Sequence, residues 1–263
     1  MINYQGICDV NKNSVQLDET RPIVFIDVDG VINPVPYERK WIGPDDSGQA
    51  WYSGLYDPQN WEWIELKADP KLHYPISRQL NVEFDSWLDQ PQDYIEEYLE
   101  KTMPGKRYKK LRINLMDEML DELRSLVTEY NVQFVYLTFW RSEALRLLES
   151  ELQLGGISYL DWNTHSDRGH SLKIDSLAYF YEKTDIRTPF IVIDDEATTG
   201  LTGKNAKLWY FDKSYDKQYP GKAAQTKALN KIPKLILETD ARWGIERKDI
   251  QNIRSFLENL KNC

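Results

Sequence analysis

The chain has 263 residues and carries 33 Lys and Arg against 42 Asp and Glu, for a formal net charge of −9. With 41% hydrophobic and 29% charged residues, it has the balance of a soluble globular protein, long enough for one large core and an appendage. No apolar run approaches the roughly 20 residues of a membrane span, and the acidic balance argues against a broad nucleic-acid-coating surface. Met1–Thr20 is polar and lacks the apolar centre of a signal peptide, so the expected location is the cytosol, with no membrane partner. Only Cys8 and Cys263 are present, so no disulfide framework is implied.

The first predicted element is a strand, Ile23-Val24-Phe25-Ile26, of the kind buried on both faces. It runs into Asp27-Val28-Asp29-Gly30-Val31-Ile32. Buried carboxylates at a strand end cost several kcal/mol unless paired or metal-bound, and Gly30 allows a turn close to a ligand. The competing reading is an Asp-Gly turn closing a hairpin.

From Asn33 to Lys110 the regular rhythm stops. This stretch is rich in Tyr, Pro, Asp and Gly and holds five of the nine tryptophans: Trp41, Trp51, Trp61, Trp63 and Trp87. A loop of that length within a compact domain is functional or separately folded. Its aromatics either build a small core of their own, the favoured reading, or stack on a base or sugar. A basic cluster follows from Lys101 to Arg112, and a second runs from Lys204 to Lys222. Both read first as solvated surface charge.

After residue 110 strands and helices alternate, the pattern of an α/β domain with a mostly parallel sheet. A helix is expected over Ile113–Tyr130, with Ile113, Met116, Leu120, Leu123 and Val127 on one face and Asn131 as its stop. Strand Phe134–Leu137 ends at Thr138 and leads into helix Ser142–Leu152. A hydroxyl there either faces an anion or caps the next helix. Helix Ser171–Glu182 carries Lys173 near its start, and strand Phe190–Ile193 ends at Asp194-Asp195. Adjacent acids at a strand end repel without a cation, and a metal is the simplest neutraliser. Lys207–Phe211 and Leu235–Leu237 read as further strands, and Glu246–Leu260 as the last helix, with Ile250, Ile253, Phe256, Leu257 and Leu260 on its apolar side.

Asp27-Val28-Asp29-Gly30-Val31, Thr138, Lys173 and Asp194-Asp195, in this order, resemble the four motifs of the haloacid dehalogenase (HAD) superfamily of phosphohydrolases. The resemblance covers Arg21 to Asp195. Leu235-Ile236-Leu237-Glu238-Thr239-Asp240 with Gly244-Ile245, and Thr138-Phe139-Trp140-Arg141-Ser142-Glu143-Ala144, are also similar to a HAD subgroup predicted to act in RNA repair.

The resemblance implies a Rossmann-like three-layer core, residues 1–32 and 111–263, with residues 33–110 inserted as a cap-like module. It implies a Mg²⁺-dependent phosphatase in which Asp27 is the nucleophile forming an aspartyl-phosphate and Asp29 the acid and base. Asp29 would also touch the metal through its backbone carbonyl. Thr138 and Lys173, rather than Lys183, would hold the phosphoryl oxygens. Asp27, Asp29, Asp194 and Asp195 would form the metal site. The implied partner is a phosphorylated small molecule or nucleotide. A polynucleotide end, or a binding role without catalysis on the same fold, are the alternatives.

Two other signals lead nowhere. Gly200-Leu201-Thr202-Gly203-Lys204 lacks the first glycine and the final hydroxyl of a P-loop. His165 and His170 fit no usual zinc spacing, and a substrate-contacting or surface loop suits them better.

Overall fold

The computed structural model describes residues 7–8, 17–41, 61–83, 110–138, 142–155, 158–160, 177, 180–181, 186–195 and 231–262. At its centre is a six-stranded sheet built from β1 (Ile7–Cys8), β2 (Ile23–Ile26), β7 (Gln133–Tyr136), β8 (Ser158–Leu160), β9 (Phe190–Asp194) and β10 (Lys234–Glu238). The order across the sheet is β1-β8-β7-β2-β9-β10. All neighbours are parallel except β1 and β8. β2 is therefore central, with Phe25 opposite Val135 on one side and Val192 on the other.

Parallel pairing on both sides of β2 rules out a hairpin at Asp29-Gly30. The Gly30 φ of 69° belongs to a turn that ends a parallel strand instead.

Every residue of β2, β7 and β9 is buried, as a sheet covered on both faces requires. The pleat sends alternate side chains to opposite sides. Val24, Ile26, Phe134, Tyr136, Ile191 and Ile193 join one apolar cluster. Helices α1 (Asp117–Tyr130), α2 (Ser142–Leu152) and α3 (Arg247–Lys261) pack into it through Leu120, Leu148 and Ile253 among others. Ile23, Phe25, Val135, Phe190 and Val192 face a second cluster with Leu177, Phe180, Tyr181 and Ile232. There the Phe25 ring meets Phe180, Tyr181 and Phe190 edge-on at 5.9–6.2 Å. The result is an α/β fold with a mostly parallel sheet between two apolar layers.

The predicted helix from Ile113 is shorter than expected. Residues Lys110–Leu115 form strand β6, and α1 begins at Asp117. Leu111, Ile113 and Leu115 alternate with polar residues, a period of two that competes with the helical spacing of Ile113 and Met116. Pairing with β5 (Arg78–Glu83), where Ile113 lies opposite Leu80, decides for the strand. Asn131 does end α1, in the left-handed region at φ 55°. No side chain of its own caps the start of α1. Ser77, just before β5, presents its hydroxyl oxygen to the Asp117 N–H at 2.9 Å.

Within the segment that interrupts the sheet, β3 (Tyr37–Trp41) and β4 (Trp61–Glu65) form one antiparallel ribbon, and β5 and β6 form another. Tyr74, Ile113 and Leu115 are buried in the same cluster as the sheet's own residues. Residues 70–74 dock against the start of α3. The Arg247 N–H donates to the Leu72 carbonyl at 3.0 Å, and the Arg247 guanidinium lies over the Tyr74 ring at 4.5 Å. No described helix is long and apolar enough to cross a membrane.

Candidate functional site

The β2 to β7 to β8 path runs one way across the sheet, and β9 to β10 runs the other. The reversal lies between β2 and β9. In open α/β sheets ligands bind beyond the carboxyl ends of strands at such a switch point. Asp27 follows β2 and Asp194 closes β9, with Asp195 next to it, so the predicted acids fall at that place.

Asp27, Asp194 and Asp195 each bring a carboxylate oxygen to within 4.8 Å of the others. Asp27 and Asp194 are buried, and Asp195 is half-buried. Ionised carboxylates at this spacing repel by roughly 3–4 kcal/mol per pair at an effective dielectric near 20. All three donors are carboxylate oxygens, the donor type of a hard divalent cation such as Mg²⁺. A cation here would offset the repulsion.

Backbone geometry fixes the acids. The Asp27 N–H donates to the Ile193 carbonyl at 3.0 Å, tying the end of β2 to β9. The Val28 N–H donates to Asp27 Oδ1 at 2.7 Å, which orients that carboxylate. Residues 28–33 then wind into a tight turn, with the Ile32 and Asn33 N–H groups both donating to the Val28 carbonyl. Gly30 has to be glycine twice over. Its φ is positive, and a Cβ there would collide with the Asp195 carboxylate. The Thr239 hydroxyl, just beyond β10, donates to the Gly30 carbonyl at 2.8 Å from a buried position. Gly244 of the following loop packs directly on the Val31 carbonyl.

Asp29 stands apart from the three-carboxylate cluster. It is exposed, and its Oδ1 accepts from Asn33 Nδ2 at 2.9 Å. The expected metal contact of Asp29 is its backbone carbonyl, so a carboxylate outside the three-acid group is compatible with that role. Thr138, two residues past β7, is buried, and the Leu137 N–H before it donates to the Ile26 carbonyl at 2.8 Å. The ends of β2, β7 and β9 thus carry Asp27, Thr138 and Asp194 along one edge. Lys173, Lys183, His165 and His170 lie outside the described residues, as do the side chains of all five inserted tryptophans.

Asn33 and Gly30's partner Thr239 were not singled out as site residues by the sequence. A lone Asn after two apolar residues looks like any loop residue. Thr239 lay within a stretch noted for family likeness, but nothing in the chain order says that β10 sits two strands from β2. Comparison of the chain with protein-family models, with curated proteins and with solved structures gives no match in any of the three.

Proposed function

We propose that the protein is a Mg²⁺-dependent hydrolase of phosphomonoesters, built on a HAD-type core with the segment from residue 33 to about residue 110 as its cap. The observation that carries this reading is the convergence of Asp27, Asp194 and Asp195 at the switch point of a parallel sheet, with Asp29 two residues beyond Asp27. Structural acids seldom gather in this way, because each added carboxylate raises the repulsion on the others.

Asp27, Asp194 and Asp195, with the Asp29 carbonyl, are the groups that would hold Mg²⁺, whose charge makes a dianionic phosphoryl group approachable by a carboxylate. Asp27 then attacks phosphorus and forms the aspartyl-phosphate. Its anchored Oδ1 presets the angle of attack. Asp29 gives its proton to the departing alkoxide oxygen, and the alcohol leaves. Next Asp29 takes a proton from water as that water attacks phosphorus, which frees phosphate and restores both aspartates. Thr138 and Lys173 hold the non-bridging oxygens. Exposure of Asp29 suits a group that must meet both a leaving group and water.

The test is phosphate release from nucleotides, sugar phosphates and 3′- and 5′-phosphorylated oligonucleotides, with Mg²⁺ and with EDTA. Release that needs Mg²⁺ is expected. Asp27→Asn is expected to lower turnover by about 10³-fold or more while leaving the unfolding midpoint near that of the wild type. Wild-type turnover in metal-replete Asp27→Asn, or release indifferent to EDTA, would remove this reading. Turnover confined to oligonucleotides, with a steep salt dependence of KM, would place the substrate among nucleic-acid ends.

A further inference from the structure

Asn33 sits between the acid/base carboxylate and the inserted ribbon. Its Nδ2 donates to Asp29 Oδ1 at 2.9 Å. Its Oδ1 accepts the backbone N–H of Asn114, in β6, also at 2.9 Å. A backbone N–H can only donate, so it fixes which end of the Asn33 amide is oxygen and turns the NH₂ towards Asp29. Asn114 is held in turn on both sides. Its Nδ2 donates to the Pro34 carbonyl, and Gln79 Nε2 of β5 donates to its Oδ1, both at 2.9 Å. Gln79 and Asn114 lie directly opposite each other in the β5–β6 register. Asn33 and Asn114 are both buried. Buried amides with this many satisfied partners have little freedom to turn.

We infer that Asn33 is a positioning residue that aims the Asp29 carboxylate, and that the inserted β5–β6 ribbon sets the direction of that aim through Asn114. This rests on Asp29 being the proton donor of the proposed phosphatase. The segment expected to choose substrates would then also govern proton delivery to the leaving group.

The relay can be read from leaving-group dependence. p-Nitrophenolate departs without a proton, whereas an alkoxide needs one at the moment of cleavage. Asn33→Asp keeps the shape of the side chain but replaces the donor facing Asp29 with an acceptor, and Asn33→Ala removes the donor. For both variants kcat/KM, which covers the steps up to departure of the leaving group and leaves out the later attack of water that Asp29 also serves, should fall about tenfold or more on the best alkyl phosphate found for the wild type. On p-nitrophenyl phosphate kcat/KM should change by less than about threefold. Equal losses of kcat/KM on the two substrates, as a merely structural role would give, overturn the inference, and so does no loss on either. A wild type that releases no phosphate from any substrate instead removes the reading of Asp29 on which it stands.

Discussion

The central sheet and the segment inserted into it are held by different forces. In β2, β7 and β9 every side chain is buried. The exposed large hydrophobics among the described residues, Val35, Ile64, Leu72 and Ile76, all fall in the inserted segment. The sheet is secured by apolar burial on both faces. Among the described residues the insertion is held by buried groups at Asn33, Tyr74 and β6 and by a set of polar ties: Ser77 to the start of α1, Arg78 to Asp117 at 2.8 Å, and Arg78 to Glu151 at 2.5 Å. These ion pairs are one-third to one-half exposed, and such pairs contribute at most about 1 kcal/mol each. The clustered carboxylates stand at the edge of the region secured by apolar burial.

The sharpest way to break this contrast is at Gly30, where the edge of the sheet is most tightly packed. In Gly30→Ala the new methyl group must displace the Asp195 carboxylate and adopt a positive φ. Turnover should fall by about 10²-fold or more, as expected for a misplacement near 1 Å, with a modest loss of stability. Phosphate release and a thermal melt on the same sample check this. Wild-type turnover would mean that the edge of the sheet yields to the added methyl group.

The next test compares one residue from each region by urea unfolding. Phe25→Ala removes a ring packed against three others and should cost about 3–5 kcal/mol. Leu72→Ala, at a position 51% exposed, should cost less than about 0.5 kcal/mol. Similar costs would show that the insertion is a second core.

The smallest effect lies at the first turn of α3. Burial holds the Asp249 carboxyl above its usual range. A carboxyl raised on folding adds stability below its unfolded pKa, and that stability is lost as the pH rises through the folded one. Asp249→Asn keeps an acceptor for the Glu246 N–H, which Asp249 Oδ2 takes at 2.9 Å, and removes the buried charge. The variant should be slightly more stable than wild type at pH 7, and the difference should close near pH 3. A variant less stable at pH 7 would show that the helix start needs the charge.

Legibility followed the same divide. β2, β7 and β9 were readable because strands buried on both faces leave apolar runs, β10 because Leu235–Leu237 is itself apolar, and α2 and α3 because the helices keep a helical period. The boundary at β6 and α1 was misread because Ile113 satisfies both periods, and only its partner Leu80 decides between them. The ribbons of the insertion were not foreseen. Tyr37–Trp41 sets three charged residues between two aromatics and Trp61–Glu65 mixes Trp, Glu and Ile, and their pairing depends on the partner rather than on the run itself. Asp27, Thr138, Asp194 and Asp195 could be named because each ends an apolar strand. What no local pattern carries is the strand order, and with it the reach of Thr239 to Gly30 and of Asn114 to Asn33.

The central place of β2 has a consequence for the chain as it is made. Its neighbours β7 and β9 both come much later in the sequence, and Asp194 and Asp195 are the last of the clustered acids to be synthesised. At 5–20 residues per second, roughly 10–30 s separate Asp27 from Asp195 on the ribosome. Over that interval one edge of β2 has no β9 to pair with, and an apolar strand in that state is exposed to aggregation. The carboxylate cluster is therefore absent from any nascent chain that ends before β9, and the protein becomes competent to gather its acids only late in its own synthesis.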